Sequence, residues 1–197
     1  MNETWLQTSE SEDVAGSLRH ALLCFEKSKE DPHAWKWFVL AVHSALQGAC
    51  VCHLVTTAPP LGAVTDTNQK EWVKYYNKRE PDGELPKTRL LNLRELLKKV
   101  RKPGSCGGNS NGKSVSLSDA ELTRLSGFHS HVRSQFVHFE PQGWSVEMSG
   151  IVETANLAAR VIDDVRKIGW AFRHLPQDQM QKMVEDLREL SSLALER

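Results

Sequence analysis

Within ten residues the chain sets out His129, His131, Arg133 and His138. Imidazoles gain and lose protons near neutral pH, and a guanidinium grips phosphate through parallel N–H bonds, so these residue types suit proton transfer and anion binding. Their spacing narrows the chemistry. On a straight α-helix His129 and His131 point about 200° apart, while His131 and His138 share a face but lie about 10 Å apart along it, which argues against a metal site. No metal and no cofactor are expected. Arg133 and His138 are separated by about 140° around such a helix. They can work together only if the helix distorts near Phe136 to His138, or if a second chain completes the pair.

Two further stretches could meet phosphate. Gly107 to Ser114 fits the string G-x4-G-K-[ST], in which backbone amides and a lysine cradle a nucleotide. That loop needs a buried strand before it and a helix at the lysine; here Lys102-Pro103-Gly104 precedes it and Val115, Ser116 and Leu117 delay the next helix. The string is read as a chance product of a Gly/Ser/Asn loop. From Lys87 to Lys102 there are seven lysines and arginines against Glu95 alone. Leu90, Leu93, Leu96, Leu97 and Val100 share one side of that stretch, so Arg94, Lys98 and Arg101 lie on a basic side, either solvated or phosphate-facing.

The elements that must position these groups are helical. The chain has 197 residues, 25 acidic and 25 basic side chains and 40% apolar residues, which describes one ordinary soluble domain. Zero formal net charge excludes a general polyanion binder, so any nucleic-acid contact is local. The apolar period is close to 3.6 nearly everywhere, and the alternation at Trp144 to Met148 is too short for a sheet. An all-α, up-and-down bundle of about six to seven helices is predicted, as a single domain over residues 1–197, with a flexible N-terminus (1–13), a flexible loop (103–116) and a short extended segment near 144–148.

Helices are expected over about Val14 to Ser28, capped by Ser11 or Asp13; from Asp31-Pro32 to about Val55; Asn68 to Lys78; about Leu90 to Lys102; Ser116 or Ser118 to His138; Ser149 to Arg173; and after Pro176. The second is apolar nearly all round and is expected at the centre. Its length suits a membrane span, but His43, Ser44, Gln47 and His53 interrupt it, so no membrane association is expected. In the fifth, Leu125, Phe128, Val132, Phe136 and Phe139 form the core stripe. Met1 to Asp13 carries acids and no basic residue, so export is not expected, and four cysteines without a paired motif suit buried thiols in a reducing cytoplasm. Trp144 and Trp170 are expected to pack around the fifth and sixth helices, and His20, His33, His43, His53 and His174 show no metal-ligand spacing.

The string Arg133-Ser-Gln-Phe-Val-His138 is an Arg-x4-His motif near the end of an amphipathic helix. With the aromatic and aliphatic helix Trp35 to Val55 before it, and Phe139-x-Pro141 and Trp144-Ser-Val-Glu147 after it, the chain resembles bacterial members of the HEPN (higher eukaryotes and prokaryotes nucleotide-binding) superfamily over Val14 to Arg173. The resemblance implies a helical bundle, often a homodimer whose motifs meet in one cleft. It also implies metal-independent endoribonuclease activity in many members, in which a ribose 2′-hydroxyl attacks the neighbouring phosphate. His138 would then move the proton and Arg133 would stabilise charge on the phosphoryl oxygens, with His131 as a second acid or base. Ser134 stands where ribonuclease members usually carry Asn, Asp or His, and Glu140 where the toxin subgroup carries Tyr. One reading is therefore a binding module for a nucleotide, RNA or a protein partner, with Arg133 as anion anchor and Ser134, His129, Arg94, Lys98 and Arg101 as further binding groups. The alternative is an endoribonuclease using Arg133 and His138 in a dimer cleft. A third is an ordinary helical protein in which these side chains are surface or core groups.

Overall fold

The computed structural model describes residues 4–78, 84–108, 113–138 and 143–195, and over them the chain is an all-α bundle. Seven helices are present among the described residues: α1 (Glu10–Lys27), α2 (Ala34–Leu54), α3 (Asp66–Lys78), α4 (Leu93–Val100), the composite α5, α6 (Met148–Ile168) and α7 (Gln177–Ser191). Helix α5 runs through an α-helical stretch, Asp119–Gly127, a π-helical stretch, Phe128–Arg133, and a last α turn, Ser134–Val137.

α2 is the centre because its sequence leaves it no polar face. Phe38, Val39, Ala45, Leu46, Ala49 and Cys50 are fully buried. It packs against α1, α4, α6 and the π stretch of α5, while α7 closes over α1 and α6. It is the one helix among the described residues long and apolar enough to cross a membrane, and most of it is covered by its neighbours. α1 approaches it closely at Gly48, where a Cβ would lie 2.7 Å from Val14. α1 and α7 are locked by Arg19, whose guanidinium straddles the buried Asp186 at 2.8 and 3.1 Å. Such a bidentate pair fixes direction as well as distance.

Several boundaries differ from expectation, each for a local reason. α1 begins at Glu10 because Ser9, not Ser11 or Asp13, forms a capping box with Glu12. Residues 10–13 thus belong to a helix rather than to a flexible arm. Asp31 and Pro32 lie in a turn ahead of α2, where the Asp31 carboxylate accepts from the His33 amide. α4 is shorter than the basic run. Leu90 pairs with Val64 in an isolated antiparallel bridge, 42% exposed, because buried Asn68 accepts from the Arg89 amide and donates to the Lys87 carbonyl, holding that strand-like segment extended. Asn92 then caps α4 through the Glu95 amide. α6 stops at Ile168 on Gly169, whose φ of 90° ends the helix in the left-handed region, so Trp170 and Arg173 lie beyond it. Residues 143–147 form no strand; Trp144 packs edge-on to Phe136 at 4.7 Å. In the predicted α5 stripe Leu125 and Phe128 are buried and Val132 and Phe136 half-buried, while Phe139 lies outside the described residues.

The phosphate-loop string has a structural explanation at its start. The Gly107 amide donates to the His53 carbonyl, and a Cβ at Gly107 would sit 2.0 Å from the Val55 carbonyl oxygen. At Gly108 a Cβ would meet the Trp170 ring at 2.0 Å. Lys113 donates to the Lys167 carbonyl, and buried Val115 and Leu117 follow in coil rather than helix. Residues 109–112 of the string lie outside the described residues. Gly108→Ala should therefore destabilise the fold by about 1–3 kcal/mol through overpacking, whereas Lys113→Ala should stay within about 0.5 kcal/mol, as read by urea unfolding of both variants.

Candidate functional site

A polar side chain on the most apolar helix must find a partner, because an imidazole buried without one is costly. His43, 5% exposed in the middle of α2, meets α5: its Nε2 lies 2.8 Å from Nδ1 of His129, and the rings stack at 5.0 Å. One proton is shared between those facing nitrogens, so one ring donates and the other accepts. Burial, then the charges of His129 and Arg133, hold the His43 pKa down to about 3. Burial and Arg133 also lower that of His129. The pair is neutral at pH 7.

The π stretch lies where α5 meets this pair. The Ser134 hydroxyl donates to the carbonyl of His129, five residues back, while Ser126 and Ser130 donate to carbonyls four residues back. Serine back-bonding of this kind bends helices, and π turns recur at functional positions. The distortion expected near Phe136 to His138 therefore comes earlier, at Phe128–Arg133, before the motif's two ends rather than between them.

Its consequence is the position of Arg133. The last residue of the π stretch lines an open groove of about 1100 Å³ that runs along α2 past Leu40, His43, Ser44, Gln47, Val51 and Val55. The first turn of α1 adds Glu10, Glu12 and Asp13, α3 adds Trp72, and the segment after α6 adds Arg173 and His174. Arg19, Arg89, Arg101, Arg124, Arg160 and Arg166 each have a carboxylate partner. Among the described residues Arg94, Arg133, Arg173 and Arg188 have none within 4.0 Å, and of these Arg133 and Arg173 line the groove.

The other expected site residues divide sharply. His129 and Ser134 join Arg133, the first through His43 and the second by tying down the His129 carbonyl. His131 is exposed, with Nδ1 near the Gly127 carbonyl and the Ser130 hydroxyl, and is not among the groove residues. His138 ends the helix in an extended conformation (φ −107°, ψ 91°), is exposed, and does not line the groove either. Arg94 and Lys98 lie on α4 and Arg101 just past its end, away from that lining; Lys98 is paired with Glu95 and Arg101 with Asp119. His43 and Arg173 escaped sequence reasoning. An imidazole in an otherwise apolar helix was the available signal for the first; nothing local marks the second.

Two other polar clusters are structural. Ser105 donates to the Val100 carbonyl and so caps α4, which makes His53 Nε2 the donor to Ser105; an acceptor hydroxyl so arranged is not an activated nucleophile. Burial pushes the Cys50 and Cys52 thiols up to about 12, leaving them protonated and inert. No three His, Cys, Asp or Glu side chains converge on a metal position among the described residues. No family model, curated protein or solved structure matches this chain.

The neutral pair ties stability to pH. His43 binds a proton near 6.5 when unfolded but only near 3 when folded, so its contribution is complete above pH 6.5 and is lost as pH falls toward 3. Below pH 6 the slope approaches about 1.4 kcal/mol per pH unit for such a group. Urea unfolding between pH 7 and 5 should show a shallower acid decline in His43→Gln than in the wild type, with the remainder carried mainly by His53, whose pKa is held to about 4. Equal slopes in the two proteins would contradict the assignment.

Proposed function

We propose that the chain is a HEPN-like helical binding module that takes a nucleotide or RNA in the groove along α2, with Arg133 as its anion anchor. The observation that carries this reading is a guanidinium that lines a groove beside two neutral imidazoles and has no carboxylate partner among the described residues. A paired arginine has spent its fork on its partner; an unpaired one keeps both N–H directions for phosphate oxygens. His43 and His129 keep the surroundings uncharged without competing for the anion. The carboxylates of Glu10, Glu12 and Asp13 favour a ligand that also carries N–H donors, as bases do, over a bare phosphate chain. Four buried free thiols suit the reducing cytoplasm in which such a module would work.

The exposure of His138 favours a second reading in one form only. Cleavage of RNA would need a homodimer in which the partner's copy of this exposed imidazole reaches the Arg133 groove and takes the 2′-hydroxyl proton, so that the oxygen attacks the adjacent phosphorus, the P–O5′ bond breaks to leave a 2′,3′-cyclic phosphate, and the 5′-oxygen departs with a proton drawn from water.

Titration with a mononucleotide and with a short oligoribonucleotide in EDTA should give saturable binding that Arg133→Ala weakens ten- to a hundredfold, the range for losing charge-assisted bonds worth about 1.5–3 kcal/mol. His138→Ala should leave that affinity within twofold. No binding by the wild type would overturn the module, and RNA cleavage in EDTA that both substitutions abolish would replace it with the dimeric enzyme.

A further inference from the structure

The groove has a second unpaired guanidinium, and it lies at the other end. Arg133 belongs to the His43 end, since it perturbs both His43 and His129. Arg173 belongs to the Cys52–Val55 end. Its guanidinium lies 3.6 Å over the Trp170 ring, whose indole N–H donates to the Val55 carbonyl, and its charge is felt by the Cys52 thiol. The stacked ring and a bond from Arg173 to the Trp170 carbonyl hold the side chain in place, and exposed His174 lines the groove beside it. The chain positions beside which the two guanidiniums stand, His43 on α2 and Cys52 to Val55 at its end, are nine to twelve residues apart, about 14–18 Å at 1.5 Å each.

That separation selects a ligand. The phosphates of one nucleoside polyphosphate are joined through single oxygens and lie far closer together, so they cannot reach both anchors. A nucleic-acid strand advances about 3.4 Å per nucleotide when stacked, which takes about four to five steps to span the gap, and roughly twice that when extended, which takes about two to three. We infer that Arg173 is a second anion anchor and that the groove's ligand is a single strand of about three or four nucleotides held at both ends. This rests on reading the Arg133 groove as a nucleotide site. Between the anchors the groove is lined by Ser44, Gln47, Gly48 and Val51, and at the Arg173 end Val55, Pro59 and Trp72 add apolar surface against which a base can lie. Glu10 and Asp13 also stand near Cys52, so the Arg173 end is not a generic positive patch. A strand binds there by placing base amino groups toward the carboxylates and phosphate toward the guanidinium.

Cytidine 5′-monophosphate and cytidylate di-, tri- and tetranucleotides, titrated in EDTA by calorimetry, test the inference. Wild-type affinity should rise at least tenfold from the mononucleotide to the tetranucleotide and then level off. In Arg173→Ala that ratio should fall to about one or two, with the slope of log K against log salt for the tetranucleotide reduced by about 0.7. Arg173→Lys should restore most of both. Arg173→Gln, a neutral variant that keeps more of the side-chain stem beside the Trp170 ring, replaces the alanine variant should the latter melt early. A wild-type protein that binds the mononucleotide as tightly as the tetranucleotide, or Arg173 variants that keep the full ratio and slope, would overturn the second anchor while leaving the Arg133 site standing. Failure of every length to bind would remove both.

Discussion

The hydrogen bond between His43 and His129 is the constraint from which the site follows. α2 is buried on so many sides that an imidazole in its middle has to be satisfied by another element. The element that does so is α5, at the point where its turns widen to a π-helix and serine hydroxyls hold the displaced carbonyls. Arg133 closes that widened stretch, and its place in the groove depends on the distortion. A straight α-helix would rotate the side chains after it by about 100° for each residue of slip, enough to carry the guanidinium off the groove.

Charge is arranged with the same economy. Around the bundle, arginines are tied to carboxylates between elements: Arg19 joins α1 to α7, Arg101 joins the end of α4 to α5, and Arg124 and Arg160 join α5 to α6. Exposed pairs of this kind add little stability each, but they show where cations have found partners. Of the described arginines outside that pattern, Arg133 and Arg173 share one groove, while Arg94 and Arg188 do not line it. The neutral histidine pair beside Arg133 keeps the anchor free of local competition at the cost of acid sensitivity.

The second anchor depends on a different long-range contact. Trp170 lies just past the glycine that ends α6, donates to the Val55 carbonyl at the end of α2, and contacts both the Arg173 guanidinium and the close-packed Gly107–Gly108 segment. Glycines that match a phosphate-loop string therefore admit the indole, and the indole positions the arginine. The groove is framed at both ends by contacts between segments more than eighty residues apart in the chain.

Fold class was legible from the sequence because the 3.6-residue period of Leu18, Leu22 and Phe25, or of Leu93, Leu96, Leu97 and Val100, is a local property that each helix carries in its own residues. So was the candidacy of Arg133, from its residue type and neighbours. The capping serine of α1, the extended hold of Asn68 on Lys87 and Arg89, and the early stop of α6 were misplaced by a few residues, since caps compete within one turn and only the realised hydrogen bond decides among them. Which polar side chains share a site was decided by tertiary structure alone. Direction around a helix axis depends on every turn before it, so one π stretch placed Arg133 beside His43, the extended end of the helix left His138 outside the groove, and no periodicity in the chain announces Arg173 as the other end of it.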